Sequence, residues 1–286
     1  SGGDIQIEMF YASSVVKSAE TFDAAATGIL DCDMTGGAYQ TGKNPAFQFT
    51  GDLTGGYANP YQQYAWLLHG GGYDSLNELY NQYDMEFVGW WIPGPESLSS
   101  TKPLAGVADL DGWKFRSPPG VITMIFENLG ASPIVMDFNE IFTALETGII
   151  DGADASGLAN NVGLGLYDIG KHATYPGFHS MPVIEVSVNK EIYDGLPEDL
   201  QTILNESVSV FARDMVSQLD EQNEVAVAEA MADPNITVIN WSDEERARFR
   251  GIAKSQWANW AERSEMAGKA YESVTTYLTE AGLLVE

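Results

Sequence analysis

The chain has 286 residues, and 14 lysines and arginines against 41 aspartates and glutamates give it a net charge of −27. Nucleic acids and anionic membrane surfaces attract basic proteins, so this acidic chain is not expected to bind either one. No apolar run approaches the roughly 20 residues of a membrane-spanning helix. Cys32 is the one cysteine, which excludes an intrachain disulfide.

The first half of the chain alternates predicted strands with predicted helices. Apolar and polar residues that alternate along the chain, or short apolar runs, predict strands over residues 4–10, 29–34, 85–91, 113–116 and 134–136. Apolar residues at helical spacing predict helices over 18–28, 60–83 with a glycine interruption at 70–72, 121–129 and 139–147. This alternation predicts an α/β protein with a mainly parallel sheet.

A long helix is predicted in the second half. Pro197, Glu198 and Asp199 form a favourable helix start, and apolar residues then recur every three or four positions with no proline before Pro234. A helix over 197–232 would be about 50 Å long at 1.5 Å per residue. This exceeds the width of one domain of such a chain, so we expect two lobes, a cleft between them and a helix that spans both.

The C-terminal region carries a second helical pattern. Its repeating positions are 257, 260, 264, 267, 271, 274 and 278. Such a face packs against the core of its own chain or forms a seam with another subunit. The pattern leaves both interpretations open.

Arg116 is the only arginine in the first 212 residues. It ends the predicted strand 113–116, just before a Pro-Pro-Gly turn and a helix start. Ligands of α/β proteins bind at the carboxyl ends of strands, and arginine offers paired N–H donors that match a carboxylate. Arg116 is therefore predicted to hold a ligand carboxylate, and the alternative is a surface salt bridge.

Three segments resemble one known family. They are the stretches Leu110–Arg116 (LDGWKFR), Leu129–Pro133 (LGASP) and Glu140–Gly152 (EIFTALETGIIDG), which look like the signature of TRAP-transporter solute-binding proteins of the DctP type. The resemblance implies a two-lobe, periplasmic-binding-protein-like fold with a hinge and C-terminal helices. It also implies a periplasmic receptor without catalytic activity, from which any signal peptide has been removed, and it places the ligand carboxylate on Arg116.

Further segments resemble the branch of this family that binds 2-oxo acids together with a metal ion: Tyr39, residues 42–45 and residues 175–178. In that branch a glutamate stands at the position of Asp154, a glutamine near Glu96 and a tryptophan at Ala155. The resemblance implies that Glu96, Asp154 and a main-chain oxygen at Ala155 hold a sodium or calcium ion that bridges to the ligand. No other cofactor is implied.

Other residues are candidates for contacts with the ligand. In the resembled fold Phe178 and His179 lie where the chain crosses between lobes, so Phe178 could cover the apolar side of the ligand and His179 could bond a keto oxygen. Tyr39, Trp91 and Asn160 are further candidates. For each of these residues a place in the core, in a loop or on the surface is the alternative.

The resemblance also suggests how the chain divides. Lobe I would contain 1–90 and 181–215, without the opening strand and helix of such receptors, and lobe II would contain 91–180 and 235–286 with the C-terminal helix. The spanning helix is 197–232. A homodimer through the C-terminal helix is implied by the resemblance alone.

These observations favour a receptor that binds a 2-oxo or hydroxy monocarboxylate, such as pyruvate or 2-oxobutyrate, and delivers it to TRAP permease subunits in the membrane. A dicarboxylate, a sugar acid or an aromatic acid is an alternative ligand, and an ATP-driven transporter is an alternative partner. A hydrolase that uses Asp151 and Asp154 as acid and base is the enzymatic alternative.

Overall fold

The structure is a computed structural model that describes residues 1–11 and 13–284. Its strands are β1 (Cys32–Gly36), β2 (Met85–Trp91), β3 (Ser97–Ser100), β4 (Lys114–Ser117), β5 (Ser132–Val135), β6 (Gly152–Ser156), β7 (His172–Thr174), β8 (Ile184–Asn189) and β9 (Thr237–Ile239). Its α-helices are α1 (Thr21–Ala26), α2 (Phe47–Gly51), α3 (Pro60–His69), α4 (Gly72–Asn81), α5 (Val121–Asn128), α6 (Ile141–Glu146), α7 (Leu158–Gly163), α8 (Leu166–Ile169), α9 (Lys190–Asp194), α10 (Glu198–Ala232), α11 (Asp243–Ala261) and α12 (Glu265–Glu280).

The strands form two separate sheets, which confirms the predicted α/β class. One sheet has the strand order β1-β8-β2, and the other has the order β5-β4-β6-β3-β7-β9. The expectation of mainly parallel pairing is wrong for the first sheet, where β8 runs antiparallel to both neighbours. The reason is that β8 enters this sheet from the second one and runs back between β1 and β2. The second sheet mixes both kinds of pairing.

Aromatic side chains fill the core beside the first sheet. Phe87 on β2 lies against Tyr80 of α4, and Phe22 of α1 and Phe47 of α2 complete the cluster with ring centroids 5.4 to 5.7 Å apart. Such edge-on and tilted ring pairs add to the stability that the burial of apolar area provides. The cluster holds α1, α2 and α4 on one face of the sheet.

Helix α10 connects the two sheets. It packs on β2 of the first sheet, where Val208 lies so close to Gly89 that a Cβ atom there would be 2.5 Å from the valine. Further along, Asn223 accepts a hydrogen bond from the backbone N–H of Ala159 in α7, at 2.9 Å. The predicted long helix over 197–232 is confirmed, and it contacts elements of both sheets.

The C-terminal pattern is divided between two helices, α11 and α12. Ser264 separates them, because its side chain accepts a hydrogen bond from the N–H of Ala267 and begins α12. Trp257, Trp260 and Leu278 are buried in the core of their own chain, so these side chains are not free to form a seam with another subunit. The homodimer therefore remains a prediction.

The two C-terminal helices contact different parts of the molecule. Helix α12 packs against α2, α3 and α4, beside the first sheet, whereas α11 packs against α5 and also donates to the carbonyl oxygens of Thr54 and Pro45 through its two buried tryptophans. We therefore propose that α12 belongs to lobe I, in place of the expected assignment of all of 235–286 to lobe II. The remaining lobe boundaries stay predictions.

The predicted strand over 4–10 is wrong. Residues 4–10 contain no strand, and the apolar side chain of Ile7 is 65% exposed. A strand gains stability only when a neighbouring strand pairs with its backbone and a core covers its apolar face, and alternation by itself provides neither. Within residues 1–11 and 13–284, no helix is long and apolar enough to cross a membrane.

Candidate functional site

Arg116 lies on β4 in the second sheet and is only 2% exposed. Its Nε donates to the carbonyl oxygen of Met136 at 3.3 Å, its Nη1 to the carbonyl oxygen of Asp154 at 2.6 Å, and its Nη2 to the hydroxyl of Tyr39 at 2.7 Å. The ring of Phe138 lies 5.7 Å from the guanidinium carbon. A guanidinium has five N–H groups, so within the described residues two remain available, one on each Nη nitrogen. Arg116 is thus a fixed, buried cation rather than part of a surface salt bridge.

Asp154 and His179 form a buried pair beside Arg116. Asp154 lies on β6, the neighbour of β4, and its Oδ1 is 2.8 Å from Nε2 of His179. Both side chains have at most 1% of their surface exposed. Nδ1 of His179 has no hydrogen-bond partner among the described residues. Buried polar atoms of this kind are rare in proteins and call for a partner.

Glu96 completes the cluster from the loop between β2 and β3. Its backbone N–H donates to the carbonyl oxygen of Ser180 at 2.9 Å. This bond joins the two segments that cross between the sheets, residues 92–96 between β2 and β3 and residues 175–183 between β7 and β8. Gly177 packs on the other side, where a Cβ atom would overlap the carbonyl oxygen of Glu96. The two crossing segments are therefore pressed together, and they place the Glu96 carboxyl opposite Asp154.

The two acids of the cluster differ in protonation. Burial raises the pKa of Glu96 well above its usual range, and the Asp154 carboxylate raises it further. Burial also acts to raise the pKa of Asp154, but His179, Glu96 and Arg116 together outweigh it and leave that pKa below its ordinary value. The cluster thus contains one ionised and one neutral carboxyl group.

Asp52 is a buried acid that sequence reasoning missed. It follows α2, and it accepts hydrogen bonds from the hydroxyls of Thr54 and Ser180 at 3.0 and 3.1 Å. Burial raises its pKa to about 7. No local pattern in the sequence marks Asp52, because its partner Ser180 lies far away along the chain.

Gln48 is a second residue that was missed. Its side-chain oxygen accepts a hydrogen bond from the N–H of Val121, the first residue of α5, at 2.8 Å. Together with the Tyr39–Arg116 bond, this contact connects residues 39–48 to β4 of the second sheet and to the helix α5 that follows it. Two direct hydrogen bonds therefore link the segment 39–48 to the β4–α5 region.

The other predicted residues lie at varying distances from this cluster. Tyr39 reaches it directly through Arg116. Phe178 is 4% exposed and packs between Trp241 and Phe249, which is a position in the core.

Trp91 packs edge-on against Phe211 of α10, and Asn160 donates to the Ser156 hydroxyl at 3.0 Å. Asp151 accepts from the backbone N–H of Lys114 at 3.1 Å and does not join Asp154 in a pair of facing carboxylates. Ala155 is a buried residue of β6. The structure brings Arg116, Asp154, Glu96, His179 and Tyr39 together. Phe178 and Asn160 have partners within the protein, whereas the buried indole N–H of Trp91 has no hydrogen-bond partner among the described residues.

The cluster has the chemistry of a cation site. One ligand atom from each of Glu96, Asp154 and His179 lies within 4.8 Å of the other two, and all three residues are buried. The neutral Glu96 carboxyl is hydrogen-bonded to the Asp154 carboxylate, and a shared cation would take the place of that proton. The residues present therefore fit a bound cation.

The protein has two α/β units that crossing segments and a long helix connect, and a buried arginine lies with acids near the crossing segments. This arrangement is that of the class of two-lobed solute-binding proteins. The model of the DctP family, bacterial extracellular solute-binding protein family 7, matches residues 1–264. The chain belongs to this family, and it is a solute-binding protein of the TRAP-transporter type.

Individual relatives agree with this assignment. A monocarboxylate 2-oxoacid-binding periplasmic protein of Nostoc sp. is 30% identical over 241 residues, which cover 80% of this chain and 63% of the relative. A TRAP periplasmic solute-binding protein from Rhodobacter sphaeroides, in an apo open structure, is 41% identical with a TM-score of 0.77 and covers 100% of this chain and 90% of that one.

A third relative is a TRAP-transporter solute-binding protein from Bordetella bronchiseptica, described as a mixed-occupancy dimer with calcium and picolinate bound in one active site. It is 26% identical with a TM-score of 0.90, and the match covers 98% of this chain and 84% of that one. The more similar sequence, in its open form, thus gives the lower TM-score.

Proposed function

We propose that this protein is a receptor for a small 2-oxo or hydroxy monocarboxylate, such as pyruvate or 2-oxobutyrate, and that it delivers this ligand to a TRAP permease from the periplasm. The observation that carries the proposal is the buried guanidinium of Arg116 with one N–H left on each Nη nitrogen. Two such donors match the two oxygens of one carboxylate. The 2-oxoacid-binding Nostoc relative supports the same ligand class.

The charge of the site supports one carboxylate rather than two. Lys114 lies two residues before Arg116 on β4, but it is exposed to solvent and outside the cluster. A second carboxylate of the ligand would therefore face Asp154, Glu96 and Asp52 rather than a second cation. Like charges in a buried site are strongly unfavourable, which argues against a dicarboxylate.

A cation belongs to this proposal as a second component. Glu96 and Asp154 would hold it, and when bound it would supply positive charge between these acids and the ligand carboxylate. Arg116 orients the carboxylate, and Tyr39 ties the opposite half of the protein to the same guanidinium. Closure of the lobes then excludes water from the bound acid. The protein's own residues bind and enclose the ligand, and no covalent step is needed.

Thermal unfolding of chelator-treated protein with a panel of acids tests this proposal. The panel contains pyruvate, 2-oxobutyrate, lactate, a dicarboxylate, a sugar acid and an aromatic acid, each with and without added cation. A ligand at 100 times its dissociation constant stabilises the folded state by about 2.7 kcal/mol. We expect the largest rise in melting temperature with a monocarboxylate and cation. A larger rise with a dicarboxylate or sugar acid would contradict the proposed ligand.

A further inference from the structure

The buried cluster contains a nitrogen donor in addition to its two carboxyl groups. Glu96 comes from the loop after β2, Asp154 from β6 and His179 from the segment between β7 and β8. One atom from each lies within 4.8 Å of the others, and none of the three residues is more than 6% exposed. Three separate segments thus bring an imidazole and two carboxyl groups to one point that solvent does not reach.

The charges of the site can match a divalent ion. When the Glu96 carboxyl gives up its proton to a bound cation, the two carboxylates neutralise one divalent ion, and the Arg116 guanidinium neutralises one ligand carboxylate. Buried charges without compensation are strongly unfavourable, so this balance matters in a space that solvent does not reach. The choice among cations then depends on the ligand atoms that the cluster offers.

The imidazole distinguishes among divalent ions. Calcium and magnesium take oxygen ligands, whereas zinc, manganese and cobalt readily combine a histidine nitrogen with carboxylates. We propose that His179 is a metal ligand and that the cluster of Glu96, Asp154 and His179 selects a divalent first-row transition ion over sodium and calcium. This inference rests on the proposed function and identifies the cation of that site.

The Asp154–His179 hydrogen bond is part of this inference. Nε2 of His179 now lies 2.8 Å from Oδ1 of Asp154, so the ring already faces the carboxylate with which it would share the ion. Small shifts of two side chains would convert a hydrogen-bonded pair into two ligands. The hydrogen bond between the Glu96 and Asp154 carboxyl groups would be exchanged for the cation in the same way.

Metal titration of the full chain without any organic acid tests this inference. Chelator-treated protein is titrated by calorimetry with Mn²⁺, Zn²⁺, Co²⁺, Ca²⁺ and Na⁺. We expect the transition ions to bind at least about tenfold more tightly than calcium. His179→Gln should weaken Mn²⁺ binding at least about tenfold and leave calcium binding nearly unchanged. Equal affinities of the wild-type protein for calcium and for the transition ions would overturn the inference.

Pulsed electron paramagnetic resonance of the Mn²⁺-loaded wild-type protein gives a readout that does not depend on any variant. A histidine ligand couples its nitrogen nucleus to the manganese electrons, and we expect this coupling in the wild-type spectrum. Its absence would overturn the inference even if His179→Gln failed to fold. His172→Gln is the matched control, because His172 lies on β7 outside the cluster and should keep both the coupling and the affinity.

The same samples separate failure of this inference from failure of the proposed function. If pyruvate bound with calcium or sodium and no nitrogen coupling appeared, the carboxylate receptor would stand and His179 would not be a ligand. If Mn²⁺ bound through His179 and no organic acid bound in its presence, the metal site would stand and the proposed ligand class would fail.

Discussion

The molecule buries acidic side chains in two regions, and the two regions differ in what surrounds them. Asp33 on β1 and Glu185 on β8 lie in the core of the first sheet, where no basic side chain among the described residues lowers their pKa and the few hydrogen bonds to them are outweighed by burial. Asp154 is buried just as completely, but His179 and Arg116 lie beside it. Burial raises the pKa of Asp33 to about 7 and that of Glu185 well above its usual range. The pKa of Asp154 moves in the opposite direction.

The difference shows that burial alone does not make a binding site. In the first region burial favours the neutral form of both acids, and no cation in the described part of the chain offsets that effect. In the second, a cation and an imidazole from separate segments stabilise an ionised carboxylate. Opposite charges that converge from separate segments are what distinguish the proposed binding cluster from the first region.

Asp154→Asn provides the strongest test of this contrast. Removing the carboxylate that offsets the buried charge of Arg116 costs about 3 to 5 kcal/mol, so the variant should lose that much free energy of unfolding in urea at neutral pH with chelator present. Asp151→Asn, three residues earlier, loses only a hydrogen bond to a backbone N–H and should cost about 1 kcal/mol. Equal losses in the two variants would mean that the Asp154 pair has no special role.

Arg116→Lys should abolish most ligand affinity. Lysine keeps the charge but loses the paired N–H geometry, so we expect a loss of about 2 kcal/mol or more, roughly 30-fold in dissociation constant, by calorimetric titration. Lys114→Gln alters an exposed cation on the same strand and is the control. An Arg116→Lys dissociation constant within about twofold of wild type would show that the guanidinium does not hold the ligand.

Asp33→Asn should change the pH dependence of stability. The folded-state pKa of Asp33 is about 7, and the ordinary value is about 3.9, so between these values the folded state holds a proton that the unfolded state releases. This residue therefore makes the free energy of unfolding fall as pH rises through that window, by up to about 1.4 kcal/mol per pH unit.

Unfolding in urea at several pH values from about 4.5 to 7.5 would measure this slope. The asparagine variant should lose less stability than wild type as pH rises. Asp154 has the opposite sign, because its pKa is lowered in the folded state and its contribution is lost as pH falls through that value. Parallel slopes for wild type and Asp33→Asn would refute the contrast between the two regions.

Tyr39→Phe is expected to have the smallest effect. It removes the hydroxyl that accepts from Arg116 at 2.7 Å, and a single hydrogen bond is worth about 1 kcal/mol, or roughly fivefold in affinity. The free energy of unfolding should change little. Tyr61→Phe, at a residue that is 63% exposed, is the control. A loss as large as that of Arg116→Lys would assign Tyr39 a direct role in holding the ligand.

The spacing of apolar residues and the positions of prolines predicted those elements whose formation depends on nearby residues. Helix α10 was expected over 197–232 because apolar spacing persisted without a proline, and it spans Glu198–Ala232. Strand β2 has the predicted bounds, 85–91. Arg116 stood out because it is the only arginine in a long acidic stretch at the end of a strand, and the structure places it at the centre of the site.

Features that depend on distant segments could not be predicted in this way. The alternation over 4–10 predicted a strand, but pairing is decided by a partner strand and not by the segment itself. His179 and Asp154 are 25 residues apart, and Asp52 meets Ser180 at a separation of 128 residues. Such contacts arise only when the two sheets and their crossing segments assemble, so no spacing in the sequence encodes them.

A crystal structure of the protein with pyruvate and a divalent cation tests the central claim most directly. The account predicts that the ligand carboxylate accepts from both Nη nitrogens of Arg116 and that the cation lies among Glu96, Asp154 and His179. A ligand bound elsewhere in the cleft, with the Arg116 donors directed only at Met136, Asp154 and Tyr39, would contradict it.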